Sequence, residues 1–266
     1  MKLKVSAAVC SHKGKIRGNN EDAFLLNGVY LPLEKMDEGG LFTAQTETPF
    51  QLYAVCDGMG GEEAGELASF AAVETFAKLL KDASRKTDVR PASVSAVQQA
   101  NEAVLALDKN AGCTMTLLCL QGGKATVTWL GDSRIYLLRC GELLRLSEDH
   151  TQAQRLLNMG VFDALTAKTH PSSHELTRYI GMETEGFALQ SAYGETLTLK
   201  EGDVFLLCSD GLTDMVEETE FAALLNKDAK SAAEELVSAA LANGGRDNVT
   251  AMAVRVEQVK KNIFGR

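Results

Sequence analysis

Proline is scarce, with four residues in 266, and no Pro-, Gly- or Ser-rich tract breaks the chain. No segment reads as a linker, so residues 1–266 are taken as a single domain, long enough to bury a sizeable core. Low-complexity tracts and fixed-period repeats are absent. No basic block offsets the net charge of −9, which argues against a nucleic-acid partner, because such a partner demands a Lys/Arg footprint. The six cysteines, at 10, 56, 113, 119, 140 and 208, form no C-x-x-C pair. They read as reduced small hydrophobes rather than disulfides or a zinc site. No apolar run approaches membrane-spanning length. The N-terminal MKLKVSAAVC imitates a leader, but its apolar part, residues 5–10, is shorter than a secretory core. A cytoplasmic monomer with no membrane partner is the resulting expectation. G-x-x-x-x-G-K-[ST] is missing too, which argues against P-loop nucleotide chemistry.

The remaining composition is that of a globular protein, 45% hydrophobic and 24% charged. Three helical stripes stand out. Leu67, Phe70, Val73, Phe76 and Leu80 share one face, as do Val97, Ala100, Val104 and Leu107, with Pro91 near the start of the second. Ala233, Leu236, Val237, Ala240 and Leu241 form the third. Ser231 and Glu234 have the spacing of a capping box there, and Asn243, Gly244 and Gly245 form a stop. Strand-like runs cover 51–56, 114–120, 125–130, 134–139, 197–199, 203–208 and 249–256. RIYLLRCGELLRL reads as a hairpin about Cys140 and Gly141. Strands follow strands and helices come in groups. That order predicts an α+β fold with antiparallel sheets. The polar, aperiodic EKMDEGGLFTAQTET, residues 34–48, is read as a surface loop between the first strands, a plain loop insertion rather than a partner surface.

Carboxylates recur where strands meet turns. QLYAVCDGMGG carries Asp57 and Gly58; VFLLCSDGL carries Asp210 and Gly211. Glu21 and Asp22, Asp132, and Asp247 beside Asn248 complete the set. Singly each is an ordinary turn former. Gathered at one edge of a sheet they would repel, and some would hold protons. A divalent cation relieves that repulsion, and an all-oxygen set suits Mg²⁺ or Mn²⁺. Zinc and copper are disfavoured because the histidines, at 12, 150, 170 and 174, lie far from these acids in sequence. Asp57 is the candidate bridge between two ions, with the Gly58 carbonyl close by. Two ions so held would activate a water for attack on phosphorus. Arg17, four residues before Glu21, is placed to hold a phosphate with its planar fork.

In order along the chain, KGKIRGNNEDAF, VCDGMGGEEAGELAS, GCTMTLL, WLGDSRIYLLR, LSEDHT, HPSSHELTRYIG, LLCSDGLTDMV and GGRDNVTAMAV together resemble the compact bacterial form of the type 2C metal-dependent protein serine/threonine phosphatases. The resemblance runs from about residue 5 to residue 256. It implies a β-sandwich of two antiparallel sheets flanked on both faces by α-helices. It also implies hydrolysis of phosphoserine and phosphothreonine by a metal-activated water at a binuclear, or trinuclear, Mn²⁺/Mg²⁺ centre. By position, Asp57 resembles the bridging ligand and Gly58 the carbonyl ligand. Asp210 and Asp247 match further ligands of the first metal, and Glu21 and Asp22 the acids near the second. Asp132, with Asp210, matches the site of a third metal. Arg17 matches the phosphate-binding arginine and Asn248 a supporting residue. Residues 150–177 match a mobile flap that influences substrate choice.

The resemblance further implies phosphoproteins as partners, the targets of a Ser/Thr kinase. One departure stands out. Family members often carry a histidine just after the DG element, where this chain has Met59 and Glu62. The proton donor to the leaving alkoxide is left open among a metal-bound water, His150 and His170. Two other functions compete: a phosphoprotein-binding pseudophosphatase, which would be expected to lack one of the acids, and a hydrolase of small phosphate esters.

Overall fold

Strand β12 (Val204–Cys208) is apolar and buried at every position. A strand of that kind needs cover on both faces. In the structure, a computed structural model describing residues 2–60, 64–83, 87–184 and 186–260, it has both. β12 belongs to a six-stranded sheet ordered β3 (Gly40–Thr46), β1 (Lys2–His12), β13 (Val249–Lys260), β12, β8 (Arg134–Arg139) and β9 (Glu142–Arg145). The second sheet runs β10 (Ala192–Tyr193), β7 (Lys124–Leu130), β6 (Met115–Gln121), β4 (Phe50–Gly60) and β2 (Asp22–Leu26). β11 (Leu197–Thr198) also pairs with β7, and β5 (Ala111–Cys113) with β4. Every pairing is antiparallel.

The sheets face one another across a core that includes Val5, Val9, Phe24, Tyr53, Val55, Leu118, Ile135, Phe205, Leu207 and Met252. On β4, Tyr53 and Val55 enter this inner core. Leu52, Ala54 and Cys56 point the other way, against the helices α1 (Gly65–Asp82) and α2 (Val89–Leu105). A third core lies outside the first sheet. There α6 (Glu218–Leu225) and α7 (Ala229–Ala242) cover Ala8, Tyr136, Leu206, Cys208 and Ala251. The order helix, sheet, sheet, helix is the one expected, and two-sided burial explains why the strands read as continuous apolar runs. The hairpin at Cys140 and Gly141 is present as well. Both residues have positive φ, 53° and 83°, as a two-residue turn with the twist of its strands requires.

Three expectations need correction. Residues 34–48 are not a loop: Leu33–Glu38 forms a 3-10 turn, and Gly40–Thr46 is β3. β3 is an edge strand paired only with β1, and its outward residues Thr43 and Gln45 are exposed. A polar edge gives little periodic signal. β4 does not stop at Asp57; it continues to Gly60, exchanging β6 for β5 as its partner. The cap of α7 is Asp228, whose side chain accepts from Ser231 N at 3.0 Å; Ser231 is already inside the helix. Glu62 lies outside the described residues. The would-be leader, residues 5–10, is part of β1, a strand inside the first sheet.

β12 is anchored at its start by the buried Asp203, which accepts from Arg139 Nε and Nη2, both at 2.7 Å, and from Lys200 N at 2.7 Å. Removing one partner of such a pair leaves a buried charge uncompensated. Arg139→Ala is therefore expected to lower unfolding free energy by about 3 kcal/mol, as read by urea denaturation. An unchanged midpoint would show that Asp203 is rehydrated at no cost.

Candidate metal centre

The opposite end of β12 delivers Asp210. Ser209 follows the strand, and Asp210 opens the short helix α5 (Asp210–Thr213). Asp22 and Asp57 stand directly opposite one another in the β2–β4 register. Asp132 sits in the β7–β8 turn and Asp247 just before β13. The fold thus brings these acids to one end of the sandwich. Asp132, Asp210 and Asp247 line one cleft of 780 Å³ together with Arg134, His174 and Asp214. A second cavity, 540 Å³ and lined by Asp88, Arg90, Val94 and Thr126 among others, gathers none of them.

Neutral groups fix the loops. Asn248 Oδ1 accepts from Glu21 N at 2.8 Å, and its Nδ2 donates to Lys13 O and Asn19 O at 2.9 and 2.8 Å. One amide so joins the turn carrying Arg17 to the turn carrying Asp247. Ser209 Oγ donates to Asp22 Oδ2 at 2.8 Å and accepts from Thr250 N at 3.0 Å. The two Asp-Gly glycines have a packing reason. A Cβ on Gly58 would lie 2.2 Å from Gly65 O, and one on Gly211 would lie 2.0 Å from Asn248 O. Only a bare backbone lets these segments close on one another.

Repulsion dominates the electrostatics. Burial pushes the Asp22 carboxyl up to about 7, helped by Asp210 and Asp247 and opposed by hydroxyl donors. Burial raises Asp57 well above the carboxylate range, and Asp22, Asp210, Asp132 and Asp247 raise it further. Asp132 is raised in the same way, by burial and then by Asp210. Asp22 Oδ1 is buried and has no hydrogen-bond partner. An orphaned carboxylate oxygen amid other acids fits a divalent cation, and an oxygen-rich donor set suits a hard one. Arg17 supplies part of the missing positive charge: its Nη2 donates to Asp247 Oδ2 at 2.6 Å while the side chain stays half exposed. Glu21 lies nearby, raised by burial and by Glu66.

Comparison with known proteins adds to this geometry. Residues 40–243 match the family model for protein phosphatase 2C. The chain belongs to the protein phosphatase 2C family. The matched span contains Asp57, Gly58, Asp132 and Asp210; Arg17, Glu21, Asp22 and Asp247 lie outside it. A serine/threonine phosphatase of Listeria monocytogenes is 30% identical over 264 residues, 94% of this chain and 95% of that protein. The serine/threonine protein phosphatase PstP of Mycobacterium tuberculosis is 33% identical over 265 residues, 96% of this chain but 45% of that protein. The chain thus spans about half the length of those first relatives. The crystal structure of the mycobacterial enzyme superposes with a TM-score of 0.81 at 30% identity, covering 96% of this chain and all of that one. Its catalytic domain solved with two manganese ions gives 0.77 over the same shares.

In this phosphatase 2C chain the residues matching the flap fold as α3 (Gln152–Asn158), α4 (Ala164–Thr169) and a 3-10 turn, Pro171–His174. Of the histidines there, two are structural. His150 accepts from Gly131 N through Nδ1 at 3.2 Å and stacks on Trp129; burial lowers it to about 4. His170 Nδ1 accepts from Ser172 N at 3.2 Å and so caps the 3-10 turn. His174 differs. Its Nδ1 lies 3.9 Å from Asp210 Oδ2, and that carboxylate raises it to about 9. Sequence distance had separated all four histidines from the acids; the flap folds one of them back. Asp214 was also missed. It lies one helical turn after Asp210, its N–H donates to Asp210 O at 2.8 Å, and burial raises it to about 6. The i, i+4 spacing within SDGLTD was the available signal.

A stability test follows from Asp22. Its folded value of about 7 exceeds its ordinary 3.8, so between those values the folded state holds a proton that the unfolded state has lost. Stability contributed there is complete at the low end and falls as pH rises. Without metal, Asp22→Asn should gain stability relative to wild type on going from about pH 4 to about pH 7.5, as measured by urea unfolding in EDTA. His150 titrates alike in both proteins and cancels. A difference independent of pH would show that Asp22 is not crowded.

Proposed function

We propose that this chain hydrolyses phosphoserine and phosphothreonine on proteins, using two Mn²⁺ or Mg²⁺ ions with provision for a third. The observation that carries the reading is the clustering of the buried Asp22 and Asp57 with Asp132, Asp210 and Asp247, the last three lining one cleft, with an orphaned carboxylate oxygen on Asp22. Asp57 would bridge the two ions, with the Gly58 carbonyl, Asp210 and Asp247 completing the first and Glu21 and Asp22 serving the second. Asp132 with Asp210 would hold the third. The ions, when bound, supply an activated water and neutralise charge on the phosphoryl oxygens.

The chain's own residues do the rest. β2, β4, β12 and β13 fix the acids, and Asn248 locks the turn carrying Arg17 to the turn carrying Asp247. Arg17 pairs with Asp247 through a half-exposed guanidinium that can exchange this partner for a phosphate. The flap walls the cleft where a peptide would lie. A cytoplasmic monomer acting on the targets of a partner Ser/Thr kinase is the setting we infer. Among the described residues no helix is long and apolar enough to cross a membrane.

Phosphate release from a phosphothreonine peptide tests the reading. Release should require Mn²⁺, cease in EDTA, and fall by more than roughly 100-fold in Asp210→Asn. No release from folded, metal-loaded protein would move the reading to a phosphoprotein-binding module. Faster turnover of small phosphate esters or nucleotides would make it another class of hydrolase. Arg17→Ala should lower kcat/KM roughly 10- to 100-fold, chiefly through KM, because a hydrogen bond to a charged group contributes about 1.5–3 kcal/mol. Unchanged saturation would place the phosphate clamp elsewhere.

A further inference from the structure

One cluster of donor atoms is not all oxygen. Asp132, Asp210 and His174 each offer an atom within 4.8 Å of the others. Asp132 is 9% exposed, and the groups acting on its carboxylate are Asp210, Asp149, its own N–H and Arg134. Among the described residues no other residue donates a hydrogen bond to it. Two carboxylates this close, one buried with no donor from another described residue, need a positive partner between them. The imidazole is the third group facing that point.

His174 is held there by its own segment. Gln152 N donates to Glu175 O at 2.9 Å and Thr177 N to His150 O at 2.8 Å, so residues 175–177 are tied to residues 150–152. On the other side, Ser173 N donates to His170 O at 2.9 Å within the 3-10 turn. The ring itself is exposed, and Asp210 is the carboxylate it faces.

We propose that His174 is a nitrogen ligand to a divalent cation shared with Asp132 and Asp210. The cation then fastens the flap to the acid-lined end of the sandwich. The inference rests on the metal-centre reading above and adds a ligand, a tether and a preference. Mg²⁺ keeps oxygen ligands and waters, whereas Mn²⁺ also accepts imidazole. The third position in this chain should therefore favour Mn²⁺ over Mg²⁺ more strongly than the all-oxygen positions do.

Pulsed electron paramagnetic resonance on the Mn²⁺-loaded protein reads the ligand directly. Wild type should show electron spin-echo modulation from nitrogen-14. His174→Ala and, independently, Asp132→Asn should lose it while keeping Mn²⁺ elsewhere and the wild-type circular dichroism spectrum. Equilibrium dialysis should show the weakest Mn²⁺ site of His174→Ala weakened roughly tenfold or more, with Mg²⁺ binding little changed. Absence of nitrogen modulation in wild type, or its persistence in His174→Ala, would overturn the proposal. The readout is independent of turnover: an active phosphatase lacking the nitrogen signal overturns this inference alone, and an inactive protein showing it overturns only the catalytic reading.

Discussion

Carboxylate repulsion at one end of the sandwich is the constraint on which the rest depends. Asp57 feels Asp22, Asp210, Asp132 and Asp247 together. A flexible chain would relieve that crowding by moving the acids apart. Here they cannot move, because each is carried by a buried strand or by the turn beside one. The three apolar cores hold those strands from both sides. Burial elsewhere in the molecule therefore sustains an unfavourable arrangement here, and the unfavourable arrangement creates affinity for cations.

Neutral groups define the geometry that charge alone would destroy. Asn248 reaches three backbone groups of the connection between β1 and β2, and Ser209 joins β13 to Asp22. Gly58 and Gly211 admit neighbouring backbone to within a distance that any side chain would block. The site is thus a set of charged residues on a neutral frame. Arg17 is the exception: it balances Asp247 while remaining exposed enough to change partners.

How much could be read beforehand differed by element. Strands buried on both faces were legible, because a continuous apolar run bounded by turn residues has few other readings. So were the principal helical stripes, although on α1 Val73 and Phe76 are buried beside Ala68, Ala72 and Ala77 while Leu67, Phe70 and Leu80 are only partly covered. β3 was not legible; it is a half-solvated edge. The flap helices α3 and α4 bury one residue each, Ala153 and Ala167, and so carry no stripe. The acids were visible as a recurrent pairing of carboxylate and turn. The glycines beside them have a packing role that no local pattern records, admitting Gly65 O and Asn248 O. His174 was invisible because its place depends on how the flap folds back, and no local pattern records that.

Anomalous diffraction at the manganese edge, from crystals grown with Mn²⁺, tests the central claim most directly. The account predicts peaks flanking Asp57, one toward Asp210 and Asp247 and one toward Glu21 and Asp22, with a weaker third between Asp132, Asp210 and His174. Crystals of active protein in which these acids carry no anomalous density, or in which manganese is bound away from the cleft, would contradict it.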